Sequence, residues 1–250
     1  MATDLTVCVV NYNAADAVAL ALESFRHCHP GLSYQVFAYD NGSTDGAAEY
    51  LESHCDLVLH GKNTQSHGYC LTELMKRVET PYALSLDNDV EIHEPIYGEL
   101  WRAIQGYSES PVFAQHLVYC ACPPRLYDFT GAIADIYGEP WASQWSPDIC
   151  VGLFDTELLH KILTDVTFGY YLDTDRKLFY ETGGMVYRMA KAAGYQLVQL
   201  PALREKITHY GRVSTLWSGV SEADRPHIER RYECIQRSLQ LLRQQAKTSG

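Results

Sequence analysis

Tyr82-Ala83-Leu84-Ser85-Leu86-Asp87-Asn88-Asp89-Val90-Glu91-Ile92 is an apolar run that breaks into two carboxylates one residue apart. The run reads as a buried strand, which puts Asp87 and Asp89 at its carboxyl end. Carboxylates fixed there can hold a hard divalent cation, which takes one or two protein carboxylates and fills its other positions with water and substrate phosphates. A second acidic stretch, Asp40-Asn41-Gly42-Ser43-Thr44-Asp45-Gly46, follows an earlier expected strand, Tyr34 to Tyr39, in the same way. Together they point to a protein that handles a metal-bound diphosphate.

Outward from these segments, the first ~110 residues read as repeated strand–helix units, the pattern of a parallel sheet. Strands are expected at Leu5 to Val10, Tyr34 to Tyr39, Leu57 to Leu59 and Tyr82 to Leu86, with helices at Ala14 to Phe25, from Gly46 to Ser53, and at Leu71 to Val78. In open parallel sheets, ligands bind beyond the carboxyl ends of the strands. Asn11 to Asn13, Asp40 to Asp45 and Asp87 to Asp89 would share that edge. Asp, Asn, Gly and Ser are also ordinary turn and helix-cap residues, so Asp40-Asn41-Gly42-Ser43 taken alone reads as a turn.

Composition narrows the function classes. A length of 250 residues suits one large domain, and 46% hydrophobic with 20% charged residues is ordinary for a globular protein. The net charge of −11 argues against nucleic acid as a partner, because neutralising phosphates needs surplus Lys and Arg. The first residues carry no basic stretch, and no apolar run approaches the ~18 residues of a membrane span, so a soluble cytoplasmic protein is expected, with peripheral membrane association left open. The eight cysteines form no Cys-x-x-Cys pair and are read as reduced thiols; Cys120-Ala121-Cys122 is the one pair that could be a metal or redox site. Asn41-Gly42-Ser43 matches a glycosylation acceptor by letters only.

After Val112 the pattern turns irregular, with Pro123-Pro124, Gly138-Glu139-Pro140 and Ser146-Pro147 in a Tyr- and Trp-rich stretch. Helices are expected at Asp155 to Leu163 and Gly184 to Ala193, with a strand at Gln196 to Leu200. Tyr137, Trp141 and Trp145 are core filling or a platform for a sugar ring, and Lys62 or Arg212 is a solvated charge or faces the diphosphate. From Ser221 a polar helix carries Ile228, Tyr232, Ile235, Leu239 and Leu242 as an apolar stripe. That stripe could pack on the body or, in a homodimer, on a second subunit.

Val9-Val10-Asn11-Tyr12-Asn13, the Asp40 to Gly46 segment, Asn63 with Gly68, and Leu86-Asp87-Asn88-Asp89-Val90 resemble, in order and spacing, the family 2 glycosyltransferases of the GT-A fold. The resemblance is dense over residues 5 to 92 and resumes in Ala192-Ala193-Gly194-Tyr195 through Pro201 and in His209-Tyr210-Gly211. It implies an α/β fold: a single GT-A (Rossmann-like) domain over residues 1–220, with a mostly parallel central sheet flanked by helices, and a C-terminal helix over 221–250. Residues 1–110 would form the nucleotide-sugar-binding half and 111–220 the acceptor and catalytic half.

The implied activity is transfer of a sugar from a nucleoside diphosphate donor, a UDP-sugar by default, to a hydroxyl on a glycan or other acceptor, with inversion and with Mn2+ or Mg2+. By position, Asn11 and Asn13 would line the nucleotide pocket and Asp40 would contact the base or ribose, with Tyr12, Asn63, Gly68 and Asn88 in the same motifs. Asp89 would bind the metal directly, Asp87 the ribose or a metal-bound water, and His209 would complete the metal shell or contact the diphosphate.

The acceptor hydroxyl needs a carboxylate to take its proton, placed across the sugar from the diphosphate and so on another segment. The family places an acidic pair before the helix that leads to Ala-Gly-Tyr; here the stretch reads Phe179-Tyr180-Glu181-Thr182-Gly183-Gly184. Glu181 is the candidate base, with Asp173 and Asp175 in reserve. Two rivals stand beside this reading. A nucleotidyltransferase would carry a Gly-rich basic loop after the first strand, which Asn11-Tyr12-Asn13-Ala14-Ala15 lacks. A non-catalytic binding protein on a degenerate scaffold is consistent with Thr182 in place of the second acid.

Overall fold

The structure is a computed structural model that describes residues 4–63, 65–108, 116–120, 142–144, 150–173, 175–176, 178–180, 182–193, 196–211 and 222–248. It is an α/β protein whose centre is a mostly parallel sheet. β1 (Leu5–Asn11) pairs in parallel with β2 (Tyr34–Asp40) on one side and β4 (Tyr82–Leu86) on the other, and β3 (Leu57–His60) extends the sheet beyond β2. On the far side of β4 lie β8 (Val151–Asp155), β6 (His116–Cys120) and β11 (Gln196–Leu200). β8 runs antiparallel to both of its neighbours, β4 and β6, and is the only described strand of this sheet that does so. Two smaller groups complete the described strands. β5 (Val90–Ile92) pairs with β12 (Ile207–His209), and β10 (Leu178–Tyr180) lies between β7 (Ala142–Gln144) and β9 (Tyr171–Asp173).

Every residue of β1 is buried because both faces of the sheet are covered. Leu5, Val7 and Val9 pack on the face occupied by α1 (Ala15–Cys28), α2 (Ala47–His54) and α4 (Tyr97–Ser108). Cys8 and Val10 point the other way, onto α3 (His67–Met75), α5 (Thr156–Leu163) and α6 (Gly184–Ala192). Each large side chain buried in these layers contributes about 1.5–3 kcal/mol. The C-terminal helix α7 (Arg225–Thr248) lays Ile235 and Leu239 on Ala14, Ala17 and Leu20 of the α1 region. Tyr232 and Gln236 reach Asp16 at 3.2 and 2.8 Å, and Arg243 clasps Glu23 through both carboxylate oxygens. Among the described residues no helix is long and apolar enough to cross a membrane. Cys8, Cys28, Cys55, Cys70, Cys150 and Cys234 are thiols outside any disulfide, and burial pushes the first four up from the ordinary thiol range.

Several elements differ from the sequence expectation, each for a local reason. α3 spans 67–75 rather than 71–78 because Ser66 caps it, its hydroxyl accepting from the Tyr69 N–H at 3.3 Å. α1 continues past Phe25 to Cys28. β5, β12, β9 and β10 are only three residues long, too short for periodicity to reveal. β8 carries Val151, Leu153 and Phe154 beside the Pro-rich stretch, where no strand was expected. Tyr137, Trp141, Trp145, Ala121, Cys122, Arg212 and Glu181 lie outside the described residues.

The start of α4 depends on one buried imidazole. His29 Nε2 accepts from the N–H groups of Ile96 and Tyr97 at 3.0 and 3.1 Å, which leaves Nδ1–H to donate to the Phe25 carbonyl at 2.8 Å. Only the neutral ring can do both. Burial pushes His29 down from its ordinary value of 6.5, against the smaller opposing effect of the Phe25 carbonyl. The stabilisation is therefore full above pH 6.5 and is lost as pH falls through the lowered folded value. His29→Ala should cost about 1–3 kcal/mol at neutral pH by stranding the buried Ile96 N–H and the part-buried Tyr97 N–H. Thermal melts at about pH 7.5 and about 5.5 should show a smaller acid loss in the variant than in the native chain.

Candidate active site

Strand register builds the site. Asn11 ends β1 directly opposite Asp40, the end of β2, and β4 ends at Leu86 on the same edge. Three loops leave that edge and are bonded to one another. Asn88 Nδ2 donates to Asn11 Oδ1 at 2.7 Å, and Asn11 Nδ2 donates to Ser43 Oγ at 3.3 Å, so one buried amide joins all three. Asn13, with φ +46°, accepts from the Thr44 N–H at 2.7 Å, while its own N–H donates to Ser43 Oγ at 2.9 Å.

The second loop is a turn as well as a wall of the site. Asp40 Oδ2 accepts from the N–H groups of Gly42 and Ser43 at 3.2 and 2.9 Å, and the Ser43 hydroxyl donates to its other oxygen. Asp45 Oδ2 accepts from the Ala15 N–H at 2.8 Å and so caps α1 from a neighbouring loop, since Ala14 has no side chain to do it. Gly42 has φ +84°, and a β-carbon there would lie 3.1 Å from the Asn63 nitrogen. Asn63 in turn donates to the Tyr12 hydroxyl at 2.6 Å. Asn41 is buried and its amide donates to the Gln65 carbonyl at 2.9 Å, which leaves the letters Asn-Gly-Ser without an accessible acceptor amide.

The third loop carries the acids. The Asp87 N–H is held by the Cys150 carbonyl at 2.8 Å, and the Val90 N–H closes back on the Asp87 carbonyl at 3.3 Å. β5 then pairs with β12, setting His209 opposite Val90, and the Tyr210 N–H donates to the Asp89 carbonyl at 3.0 Å. His209 Nε2 stands 3.2 Å from Asp89 Oδ1 and 3.5 Å from Asp87 Oδ2. One ligating atom from each of Asp87, Asp89 and His209 lies within 4.8 Å of the other two. Two carboxylates and an imidazole suit Mn2+ or Mg2+, so the residues fit such an ion.

His67, which the sequence reading did not single out, faces the same carboxylate from another side. Its Nε2 lies 4.0 Å from Asp87 Oδ1, and it occupies the first residue of α3. The available signal was its place beside Gly68. Gly68 itself packs rather than lining open space: a β-carbon there would fall 2.5 Å from the backbone of Phe168 and Gly169. The Phe168 carbonyl accepts from the Gly183 N–H at 2.7 Å, which draws the segment before α6 toward α3. Of the acids weighed as base, Asp173 is the last residue of β9 and Asp175 is exposed in the turn that follows. Tyr210 is raised out of the ordinary phenol range, by burial first and by the Glu91 carboxylate it donates to next, so it remains a protonated donor.

The Asn11–Asn88 bond is the measurable link in this edge. A double-mutant cycle on Asn11→Ala and Asn88→Ala, read by chemical denaturation, should return a coupling of about 1 kcal/mol, with each single change costing more because it strands a buried amide.

Residues 6–130, half of the chain, match the family described as Glycosyl transferase family 2. A comparison with curated proteins finds no match. Among solved structures, the mannosyltransferase PcManGT from Pyrobaculum calidifontis, in complex with GDP-Man and Mn2+, aligns with a TM-score of 0.52 at 16% identity. The alignment covers 99% of this chain and 76% of that one. Glucosyl-3-phosphoglycerate synthase from Mycobacterium tuberculosis, in complex with Mn2+, UDP and glucosyl-3-phosphoglycerate, aligns with a TM-score of 0.52 at 12% identity, over 94% of this chain and 79% of that one. At these identities the likeness is one of fold.

Proposed function

The chain belongs to glycosyl transferase family 2, and from that premise we propose that it moves a sugar from a nucleoside diphosphate donor to an acceptor hydroxyl, with Mn2+ or Mg2+ held by Asp89, Asp87 and His209. The observation that carries this reading is the meeting of two carboxylates and an imidazole, from segments 120 residues apart (209 − 89), within 4.8 Å at the carboxyl edge of the sheet. When bound, the cation would offset the charge that develops on the departing diphosphate.

The chain's own residues divide the remaining work. Asn11, Asn13 and Asp40 already hold the loops together, so in this reading they shape the nucleotide wall and leave spare lone pairs for the base or ribose. Tyr12 and Asn63, bonded to each other, form the outer rim of that wall. Gly68 lets α3 approach residues 168–169, and its neighbour His67 stands beside Asp87 where a diphosphate oxygen would lie. Burial of Asn88 and Asp89 limits water at the metal-binding edge.

Inversion requires a base on the far side of the sugar, and Glu181 takes that role in this proposal, with Asp173 and Asp175 in reserve. Its support is positional. Glu181 immediately precedes Thr182 and Gly183, and Gly183 is tied to the Phe168 carbonyl, next to the Gly169 that Gly68 approaches. A UDP-sugar is the default donor; the two structural relatives were solved with GDP-Man and with UDP. A cytoplasmic site of action belongs to the same proposal.

Thermal shifts across UDP-, GDP-, dTDP- and CMP-sugars, each with Mn2+ and with chelator, test it directly. One donor class should stabilise the native chain by about 2.7 kcal/mol at a hundredfold excess over its Kd, only with metal, and not in Asp89→Ala. No shift with any donor would sink the transferase reading. With the donor class known, Glu181→Gln should lower kcat by roughly 100-fold or more while the donor-induced shift persists. Unchanged kcat would move the role to Asp173 or Asp175, and a chain that shifts with donor but never turns over would be a binding protein.

A further inference from the structure

His209 reaches the acidic pair from the end of a three-residue strand, and so short a strand does not fix a side chain unaided. The next residue supplies what the strand lacks. Tyr210 is partly buried against the cluster between α1 and α7 that holds Ala17, Ile235 and Leu239. Its hydroxyl donates to Glu91 Oε2 at 2.6 Å and lies 3.3 Å from Ser238 Oγ, on α7. Because the Tyr210 proton goes to the carboxylate, the Ser238 hydroxyl is the donor to Tyr210. About two turns earlier in the same helix, Arg231 donates to the Gly211 carbonyl at 2.9 Å. Glu91 belongs to β5 and follows Asp89 by two residues, so the Tyr210 hydroxyl spans both strands of the ribbon and the helix behind it. His93, which follows β5, ties the same ribbon through Nε2 to the hydroxyl of Thr208, the residue opposite Glu91, at 2.8 Å.

We propose that Tyr210 is a positioning residue for the metal centre, and that α7 is part of that centre's scaffold, holding His209 against Asp87 and Asp89 through the Tyr210–Glu91–Ser238 contact. The inference rests on the metal reading above. The ribbon gives His209 its register, and the helix removes its remaining freedom: Tyr210 cannot swing away without emptying a place in the α1–α7 core. Metal affinity thereby depends on α7 as well as on the three ligands. Loss of an outer partner that orients a ligating histidine weakens metal binding by about 10–100-fold.

Mn2+ binding to the full chain, followed by the loss of the free-ion electron paramagnetic resonance signal, separates this role from plain stability. Tyr210→Phe keeps the ring in the core and removes only the hydroxyl; it should weaken Mn2+ binding about 10-fold, and Ser238→Ala should act in the same direction but less. Arg243→Ala, which releases Glu23 at the far end of the same helix, should lower Tm and leave Mn2+ affinity as it was. Native affinity in Tyr210→Phe, alongside lost affinity in Asp89→Ala, would overturn the inference and leave the metal reading standing. An equal loss in Arg243→Ala would also overturn it, because general loosening of the helix would then explain the effect. A native chain that binds no Mn2+ would overturn the metal reading and this inference together.

Discussion

The hydrogen bond from Asn88 to Asn11 is the constraint on which the rest of the site depends. It is buried, it is 2.7 Å long, and it joins the loop of the two acids to the end of the central strand. Asn11 passes the connection to Ser43, and Ser43 to Asp40 and Asn13, so three loops behave as one piece. Inside a low-dielectric edge such a network is rigid when every member is satisfied and costly when one is removed. Asp87 and Asp89 can face one another across a small gap because the peptide between them is anchored to something other than themselves.

A consequence is that the residues proposed to wall the nucleotide site also organise the chain around it. Asp40 is both the end of a strand and the acceptor that folds its own loop, and Asp45 caps a helix in a different segment. The turn reading and the binding reading of these residues are therefore compatible: a carboxylate that organises backbone N–H groups also fixes the wall a ligand would meet. Gly68 illustrates the same economy, since the lack of a side chain brings α3 against residues 168–169 and carries His67 to the Asp87 carboxylate.

The far end of the chain is bound to the near end through polar and apolar contacts alike. α7 lies on α1 through Ile235 and Leu239, and Tyr210 enters the same cluster from the ribbon that carries His209. The apolar stripe noted in the sequence thus has an intramolecular surface to cover, with Asp16 and Glu23 of α1 supplying the polar partners at its margin.

The sequence alone determined the parallel half of the fold and the position of the acids. Mostly apolar runs of five to seven residues that alternate with helical segments, such as those of β1 and β4, read as strands of a covered parallel sheet, and ligand chemistry then falls at their carboxyl ends. Asn11, Asp40, Asp87 and Asp89 were legible for that reason, and His209 became legible once the family resemblance was in view. Only the tertiary structure decided which side chains are committed to one another: the Asn88–Asn11 bond, the capping of α1 by Asp45, the approach of His67, and the support that Tyr210 takes from Glu91 and Ser238. Those contacts join residues 20 to 119 positions apart, some of them on elements only three residues long. Local periodicity holds no record of such pairings, because they are set by how the layers pack and not by the order of residues along the chain.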